Sequence, residues 1–234
     1  MATKKVALVI VEGISDVTSI DRYLRMLKTG TGIFYHIVRG DITKEKGMAR
    51  NTAKKILGDA INKYIKNNTD GIKKTDIKEV VHIVDLDGAF IDSELVIKDE
   101  SALDIRYGDT DIHYCYNEYL AEKNNQKAGV LDVLSSTDYM CKTLPYSIYF
   151  FSRNIEHALH GDRRSDISDS EKRSLSEMFA FKFRKIDEFV KFMNSEEVKS
   201  EGETYGESWR LIKDGTNSLK RSSNFHFYIN NQLR

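Results

Sequence analysis

The stretch KVALVIVEGISD, residues 5 to 16, places two acidic residues at the point where an apolar run ends. Its first seven residues form a continuous valine-rich run, which is typical of a strand buried on both faces of a parallel sheet. Beyond Gly13, Ser15 can cap a helix. The apolar positions of that helix repeat at helical spacing and are Val17, Ile20, Leu24 and Leu27. The stretch therefore predicts a strand, a tight turn that contains Glu12, and a helix whose first turn contains Asp16.

The same alternation of strand and helix continues over the first 90 residues. IFYHIVR (33–39) predicts a second strand, residues 48–68 predict an amphipathic helix, and EVVHIVD (79–85) predicts a third strand. This order is that of a βαβαβ unit with a parallel sheet and right-handed crossovers.

The pattern is looser in the second half of the chain. YSIYFFS (146–152) predicts a further strand, and residues 170–194 predict one helix or a helical pair. Shorter helices are predicted around residues 114–124, 130–134 and 154–161. We therefore predict an α/β core over residues 1–160 and a mostly helical elaboration, packed on that core, over residues 161–234.

Composition excludes several classes of protein. The 36 basic and 36 acidic residues cancel, so the net charge does not indicate a nucleic-acid-binding protein by itself. No apolar run approaches the roughly 20 residues of a membrane span, and the N-terminus does not resemble a signal peptide. Cys115 and Cys141 lack metal-ligand spacing, so we expect buried free thiols rather than a zinc site or a disulfide framework. We expect a cytoplasmic protein without a membrane partner.

Three carboxylates follow predicted strands, and this position predicts a metal site. Glu12 follows the first strand, while Asp85 and Asp87 end the third. Ligands of open α/β sheets bind at the carboxyl ends of the strands, so the three groups would meet if those strands are neighbours. Clustered carboxylates repel one another, and a bound Mg²⁺ or Mn²⁺ relieves the repulsion and can promote phosphodiester cleavage. The alternative is local: Asp16 can favour the helix dipole, and residues 85–88 can form a turn with capping side chains.

VEGISD (11–16), followed about 70 residues later by Asp85-Leu86-Asp87, resembles the TOPRIM domain of topoisomerases, bacterial primases, small ribonucleases and OLD-type nucleases. The resemblance implies a Rossmann-like core with a mainly parallel sheet flanked by helices. It also implies that Glu12 is a metal ligand or general acid/base and that Asp85 and Asp87 hold Mg²⁺. In the form found in OLD-type nucleases, Asp16 helps to bind a second metal ion.

Two further motifs extend this resemblance. SRNIEH (152–157) resembles a stretch of the stand-alone TOPRIM nucleases of anti-phage systems, such as the PARIS type, and makes Glu156 a candidate ligand of the second metal ion. An exposed glutamate at a helix start is the alternative. Lys220, in SLKRSSN (218–224), could stabilise charge on the phosphate, although a solvated basic loop explains it nearly as well. His157 and His160 lack a third ligand and are expected to be ordinary surface or core histidines.

The function implied is that of a Mg²⁺-dependent TOPRIM nuclease, which hydrolyses RNA or DNA by a two-metal mechanism as the toxin-like effector of a phage-defence system. The sequence has no GxxxxGK[ST] phosphate loop, so a regulatory ATPase would be a separate chain. The resemblance does not choose between DNA and RNA as the substrate, or between a monomer and a homo-oligomer.

Two alternative functions remain. HIVDLDGAF (82–90) resembles the nucleophile motif of haloacid-dehalogenase-type phosphatases, in which Asp85 would be the nucleophile and Asp87 the acid/base. That motif normally follows the first strand, however, and it leaves Glu12-Gly13 unexplained. The other alternative is a non-catalytic, TOPRIM-shaped module that binds a partner protein.

Overall fold

The computed structural model describes residues 5–27, 33–39 and 47–233, without the side chains of residues 14–18, 33 and 39. The strands are β1 (Lys5–Val11), β2 (Ile33–Arg39), β3 (Ile77–Asp85), β4 (Val96–Lys98), β5 (Arg106–Tyr107), β6 (Ile112–Tyr114), β7 (Tyr139–Met140) and β8 (Leu144–Phe151). The helices are α1 (Ile14–Leu27), α2 (Ala53–Asn67), α3 (Asn117–Ser135), α4 (Ile155–His160), α5 (Asp169–Lys182), α6 (Ile186–Met193), α7 (Tyr205–Leu211) and α8 (Phe225–Gln232).

A five-stranded, mostly parallel sheet has the order β2-β1-β3-β8-β7. β1 pairs in parallel with β2 on one side and with β3 on the other, and β7 pairs antiparallel with β8. Residues Val6 to Val11 of β1 are all buried, because this strand lies between two neighbours and its apolar run supplies both faces. The predicted α/β fold with a parallel βαβαβ unit is confirmed.

The chain divides into two compact units. The first comprises Met1–Val84 and Gly129–Tyr149, and it contains most of the five-stranded sheet. The second comprises Asp85–Ala128 and Phe150–Arg234. A three-stranded sheet of order β4-β6-β5 lies in this second unit, where Ile112 of β6 packs in an apolar cluster whose other buried members are Ile91, Val96, Leu120 and Leu219.

Several elements differ from the predicted ones. α3 is one helix of 19 residues, whereas its polar centre had predicted two shorter helices. The three short strands of the small sheet were not predicted, because strands of two or three residues show no alternation of polar and apolar positions. α5 and α6 confirm the predicted helical pair. Cys115 and Cys141 are free but half-buried, so the expectation of buried thiols was wrong.

Within the described ranges, the helices are all too short or too polar to cross a membrane.

Candidate active site at the end of β3

β3 ends in a tight turn formed by residues 86–89. The Ala89 amide donates a hydrogen bond to the Leu86 carbonyl over 2.8 Å, and φ is +49° at Asp87 and +81° at Gly88. Positive φ at both central residues is the signature of a type I′ turn, which favours aspartate, asparagine and glycine. Asp87-Gly88 therefore suits the backbone of this turn, independently of any catalytic role.

The chain that follows β8 fixes the backbone of this turn. The Leu86 amide donates to the Phe151 carbonyl over 3.1 Å, and the Asp87 amide donates to the Arg153 carbonyl over 2.8 Å. The carboxylate of Asp87 is thus attached to a backbone held on two sides. Such a rigid position suits a side chain that must present its oxygens in a fixed geometry.

Arg153 is almost fully buried and binds three backbone carbonyls. Its guanidinium donates to Leu219 over 2.8 Å, to Gly108 over 2.6 Å and to Tyr107 over 3.3 Å. Burial lowers the pKa of Arg153, although an arginine keeps its charge in proteins. The φ of this residue is +54°, a conformation that non-glycine residues rarely adopt and that is retained here by the three hydrogen bonds.

Lys127 of α3 forms an ion pair with Asp87. Its ammonium nitrogen Nζ lies 2.7 Å from Oδ2 of Asp87, and the lysine side chain is only 10% exposed, compared with 32% for Asp87. Asn124, one turn earlier on α3, is also buried, and its Nδ2 has no hydrogen-bond partner. Both polar residues occupy the face of α3 that also carries Leu120 and Leu131, which are buried too.

Sequence reasoning missed Lys127, although the spacing of α3 contains a signal for it. Residues 120, 124, 127 and 131 lie on one face of a helix, and two of them are polar. A lysine is almost never buried unless it is paired with an opposite charge. This pattern is visible only when residues 117–135 are assigned to a single helix, whereas the sequence had predicted two shorter ones.

Tyr107 of β5 is the second site residue that the sequence did not predict. Burial raises the pKa of its hydroxyl strongly, and the carboxylates of Asp87 and Asp85 raise it further. The phenol therefore stays protonated and can donate a hydrogen bond to an anion. Its ring contacts the Arg153 guanidinium, whose central carbon lies 5.5 Å from the ring centroid.

The three carboxylates predicted at strand ends follow strands that are adjacent and parallel. Asp85 is the last residue of β3 and is half-buried, and Asp87 follows two residues later. Glu12 follows β1, which pairs in parallel with β3, and it is also half-buried. Asp16 lies in α1, but its side chain is outside the described part of the chain.

Glu156 of α4 is 2% exposed, so the alternative interpretation as an exposed glutamate at a helix start is wrong. Lys172 Nζ lies 3.4 Å from its Oε1, which nevertheless has no hydrogen-bond partner. Lys220 is exposed, and its backbone carbonyl accepts a hydrogen bond from the Ser152 hydroxyl. Its role as a phosphate-binding lysine stays a prediction.

His157 and His160 are held in the neutral form by their surroundings. Burial lowers the pKa of each to about 4, and nearby arginines, Arg153 for His157 and Arg221 for His160, lower it further. His157 Nδ1 lies 3.4 Å from the Ser152 carbonyl. His157 is buried and His160 is half-buried.

The carboxylates of this site fit a magnesium ion that keeps part of its water shell. Among the described side chains, no group of three or more histidine, cysteine, aspartate or glutamate residues is arranged to hold a metal ion. Mg²⁺, however, is commonly held by one or two carboxylates, with waters and substrate phosphates as its other ligands. Asp85 and Asp87 supply that donor set.

The chain was compared with protein-family models, curated proteins and solved structures, and none of them matches it. The resemblance to TOPRIM nucleases therefore rests on the motifs alone.

Proposed function

We propose that the chain is a metal-dependent nuclease with a TOPRIM-like core, which hydrolyses phosphodiester bonds of RNA or DNA in the cytoplasm. The observation that carries the proposal is the strand order. β1 and β3 are adjacent and parallel, and acidic residues follow both at their carboxyl ends: Glu12 after β1, and Asp85 and Asp87 at the end of β3. This end of an open α/β sheet is where ligands bind.

In the proposed reaction, Asp85 and Asp87 would hold Mg²⁺ or Mn²⁺ through their carboxylate oxygens, and Glu12 would be a further ligand or the general base. Such an ion would supply Lewis-acid chemistry, which polarises a phosphoryl oxygen and activates a water. Tyr107, whose phenol is protonated at neutral pH, donates a hydrogen bond from its hydroxyl to a phosphate oxygen. Lys127 supplies a positive charge beside the carboxylates.

A two-metal mechanism requires a second ion, for which we propose Asp16 and Glu156 as ligands. The burial of Glu156 supports this proposal, because a buried carboxylate is retained only with a cation beside it; Lys172 fills that role in the structure, at 3.4 Å from Oε1. Lys220 is proposed to contact the substrate phosphate through its exposed side chain. A separate ATPase partner and a role in phage defence are proposed on the resemblance alone.

The test is cleavage of labelled RNA and DNA by the purified chain in the presence of Mg²⁺ or Mn²⁺, with a chelator as the blank. We expect Asp85→Asn and Glu12→Gln to lower the cleavage rate by about 10²-fold or more, as the loss of one preorganised electrostatic group does in other enzymes. Asp104→Asn is the matched control, because Asp104 is an exposed aspartate in the same unit as Asp85. Equal rates in Asp85→Asn and Asp104→Asn would refute the proposed role of the strand end.

The same assay separates the alternative functions. The phosphatase would be favoured if the chain hydrolyses small phosphate esters but not nucleic acid, and if Asp85→Asn abolishes that hydrolysis. Metal binding without any hydrolysis would favour the non-catalytic module.

A further inference from the structure

The ion pair between Lys127 and Asp87 occupies a carboxylate oxygen that the proposed metal ion would use. Lys127 Nζ lies 2.7 Å from Asp87 Oδ2, which is the distance of a charge-assisted hydrogen bond. The inference below rests on the proposed function, because it concerns the regulation of the same site.

We propose that Lys127 is a built-in counter-cation, which neutralises Asp87 in the metal-free protein and lowers the affinity of the site for a divalent cation until an anionic substrate binds the lysine. Loading of the metal and binding of a phosphodiester are then coupled through one side chain. The site is weakly loaded when no nucleic acid is present and more strongly loaded when it is.

Three features of the structure support this role. The lysine side chain is 10% exposed, so it stays beside the carboxylate rather than extending into solvent. α3 brings it there on a buried face, together with Asn124, so its position is set by the helix and not by a mobile loop. The backbone of Asp87 is held by the hydrogen bond from its amide to the Arg153 carbonyl, so the side chain of Asp87 starts from a fixed position beside α3.

The coupling follows from electrostatics. Two cations that compete for one carboxylate oxygen repel each other, so an ammonium at this position opposes a divalent ion. A phosphodiester is an anion, and it provides the ammonium with another partner. Binding of the anion therefore releases Asp87 for the metal ion, and by linkage the metal ion raises the affinity for the anion by the same factor.

The test is titration calorimetry with Mn²⁺ on the full chain, without nucleic acid. We expect Lys127→Met to bind Mn²⁺ about ten-fold more tightly or better, a change of ~1.4 kcal/mol in binding free energy. Lys127→Arg keeps the charge and is expected to bind like the unsubstituted chain. Lys123→Met is the matched control, because Lys123 is an exposed lysine one turn earlier on α3, over the Tyr119 ring.

A second titration tests the coupling itself. A short single-stranded oligonucleotide with nuclease-resistant phosphorothioate linkages is added at saturation before the Mn²⁺. The affinity for Mn²⁺ is expected to rise in the unsubstituted chain and to change less in Lys127→Met. Circular dichroism shows whether each variant is folded.

The outcomes distinguish this inference from the proposed function. Equal Mn²⁺ affinity in folded Lys127→Met and in the unsubstituted chain overturns the inference, while metal-dependent cleavage by the latter leaves the nuclease proposal intact. Weaker binding in Lys127→Met also overturns it, since the lysine would then support the metal site. If no variant binds Mn²⁺ and no cleavage occurs, both proposals fail.

Discussion

Gly88→Ala is expected to destabilise the protein, because the β3 turn leaves no room for a methyl group at this position. A Cβ on Gly88 would lie 2.6 Å from Cδ1 of Ile112, 3.0 Å from Nδ2 of Asn124 and 3.4 Å from Cε1 of Tyr107. Ile112 and Asn124 are both buried, so neither can move into solvent to make room. The φ of +81° adds a conformational cost that alanine incurs and glycine does not.

The size of the effect can be worked from these two causes. The left-handed backbone costs an alanine roughly 1 kcal/mol, and overpacking of a buried site costs about 1–3 kcal/mol. The expected loss is therefore about 2–4 kcal/mol in the free energy of unfolding, or a decrease of roughly 4–16 °C in the melting temperature for a chain of this size. Because Asp87 precedes Gly88, we also expect weaker Mn²⁺ binding.

Two glycines of the same unit serve as controls in urea denaturation and thermal melting. Gly215 has a φ of +55° but no atom within 4 Å of its Cβ position, so Gly215→Ala measures the backbone cost of roughly 1 kcal/mol alone. Gly206 lies in α7 with open space around it, so Gly206→Ala is expected to stabilise by up to about 1 kcal/mol. If Gly88→Ala costs no more than Gly215→Ala, the close packing of this turn is refuted.

Two further predictions concern the chain beyond β8. The His157 pKa of about 4 lies below the ordinary value of 6.5, so the unfolded chain binds the proton first, and the contribution of His157 to the free energy of unfolding should fall by up to about 3 kcal/mol as the pH drops from 6.5 to 4, in addition to that of His160. In urea denaturation over this pH range, the free energy of unfolding of His157→Gln should depend less on pH than that of the unsubstituted chain. An unchanged pH dependence would contradict the lowered pKa of His157. Arg153→Lys should lower the free energy of unfolding by about 2–4 kcal/mol, because an ammonium cannot bind the carbonyls of Leu219, Tyr107 and Gly108 with the planar fork of a guanidinium. A denaturation midpoint within error of the unsubstituted chain would show that the fork is not required.

The parallel strands could be predicted from the sequence because they are runs rich in β-branched and aromatic residues, and in β1 the run is buried from Val6 to Val11. KVALVIV and IFYHIVR match β1 and β2 residue for residue. β1 lies between two strands and is apolar from Val6 to Val11, whereas β2 lies at the edge of the sheet and its Phe34 is exposed. EVVHIVD likewise predicted β3, which begins two residues earlier, at Ile77.

The second unit could not be predicted to the same extent, for a physical reason. Its sheet consists of strands of two or three residues, which are specified by tertiary contacts such as those of Ile112 rather than by a repeating pattern. Lys127 and Tyr107 belong to this unit, far in sequence from the aspartates they approach. The motifs therefore identified the carboxylates of the candidate site but not the cation and the phenol beside them.

Asp85 and Asp87 belong to the same motif but differ in how far the turn after β3 requires them. Asp87 has two local explanations: a type I′ turn favours aspartate at a central position, and Lys127 neutralises its charge. Asp85 is the last residue of β3 and precedes the two central residues of the turn, so the type I′ preference does not apply to it. The Asp85→Asn variant is therefore the more decisive one for the nuclease proposal, whereas substitutions at Asp87 would combine effects on the turn, the ion pair and the metal ion.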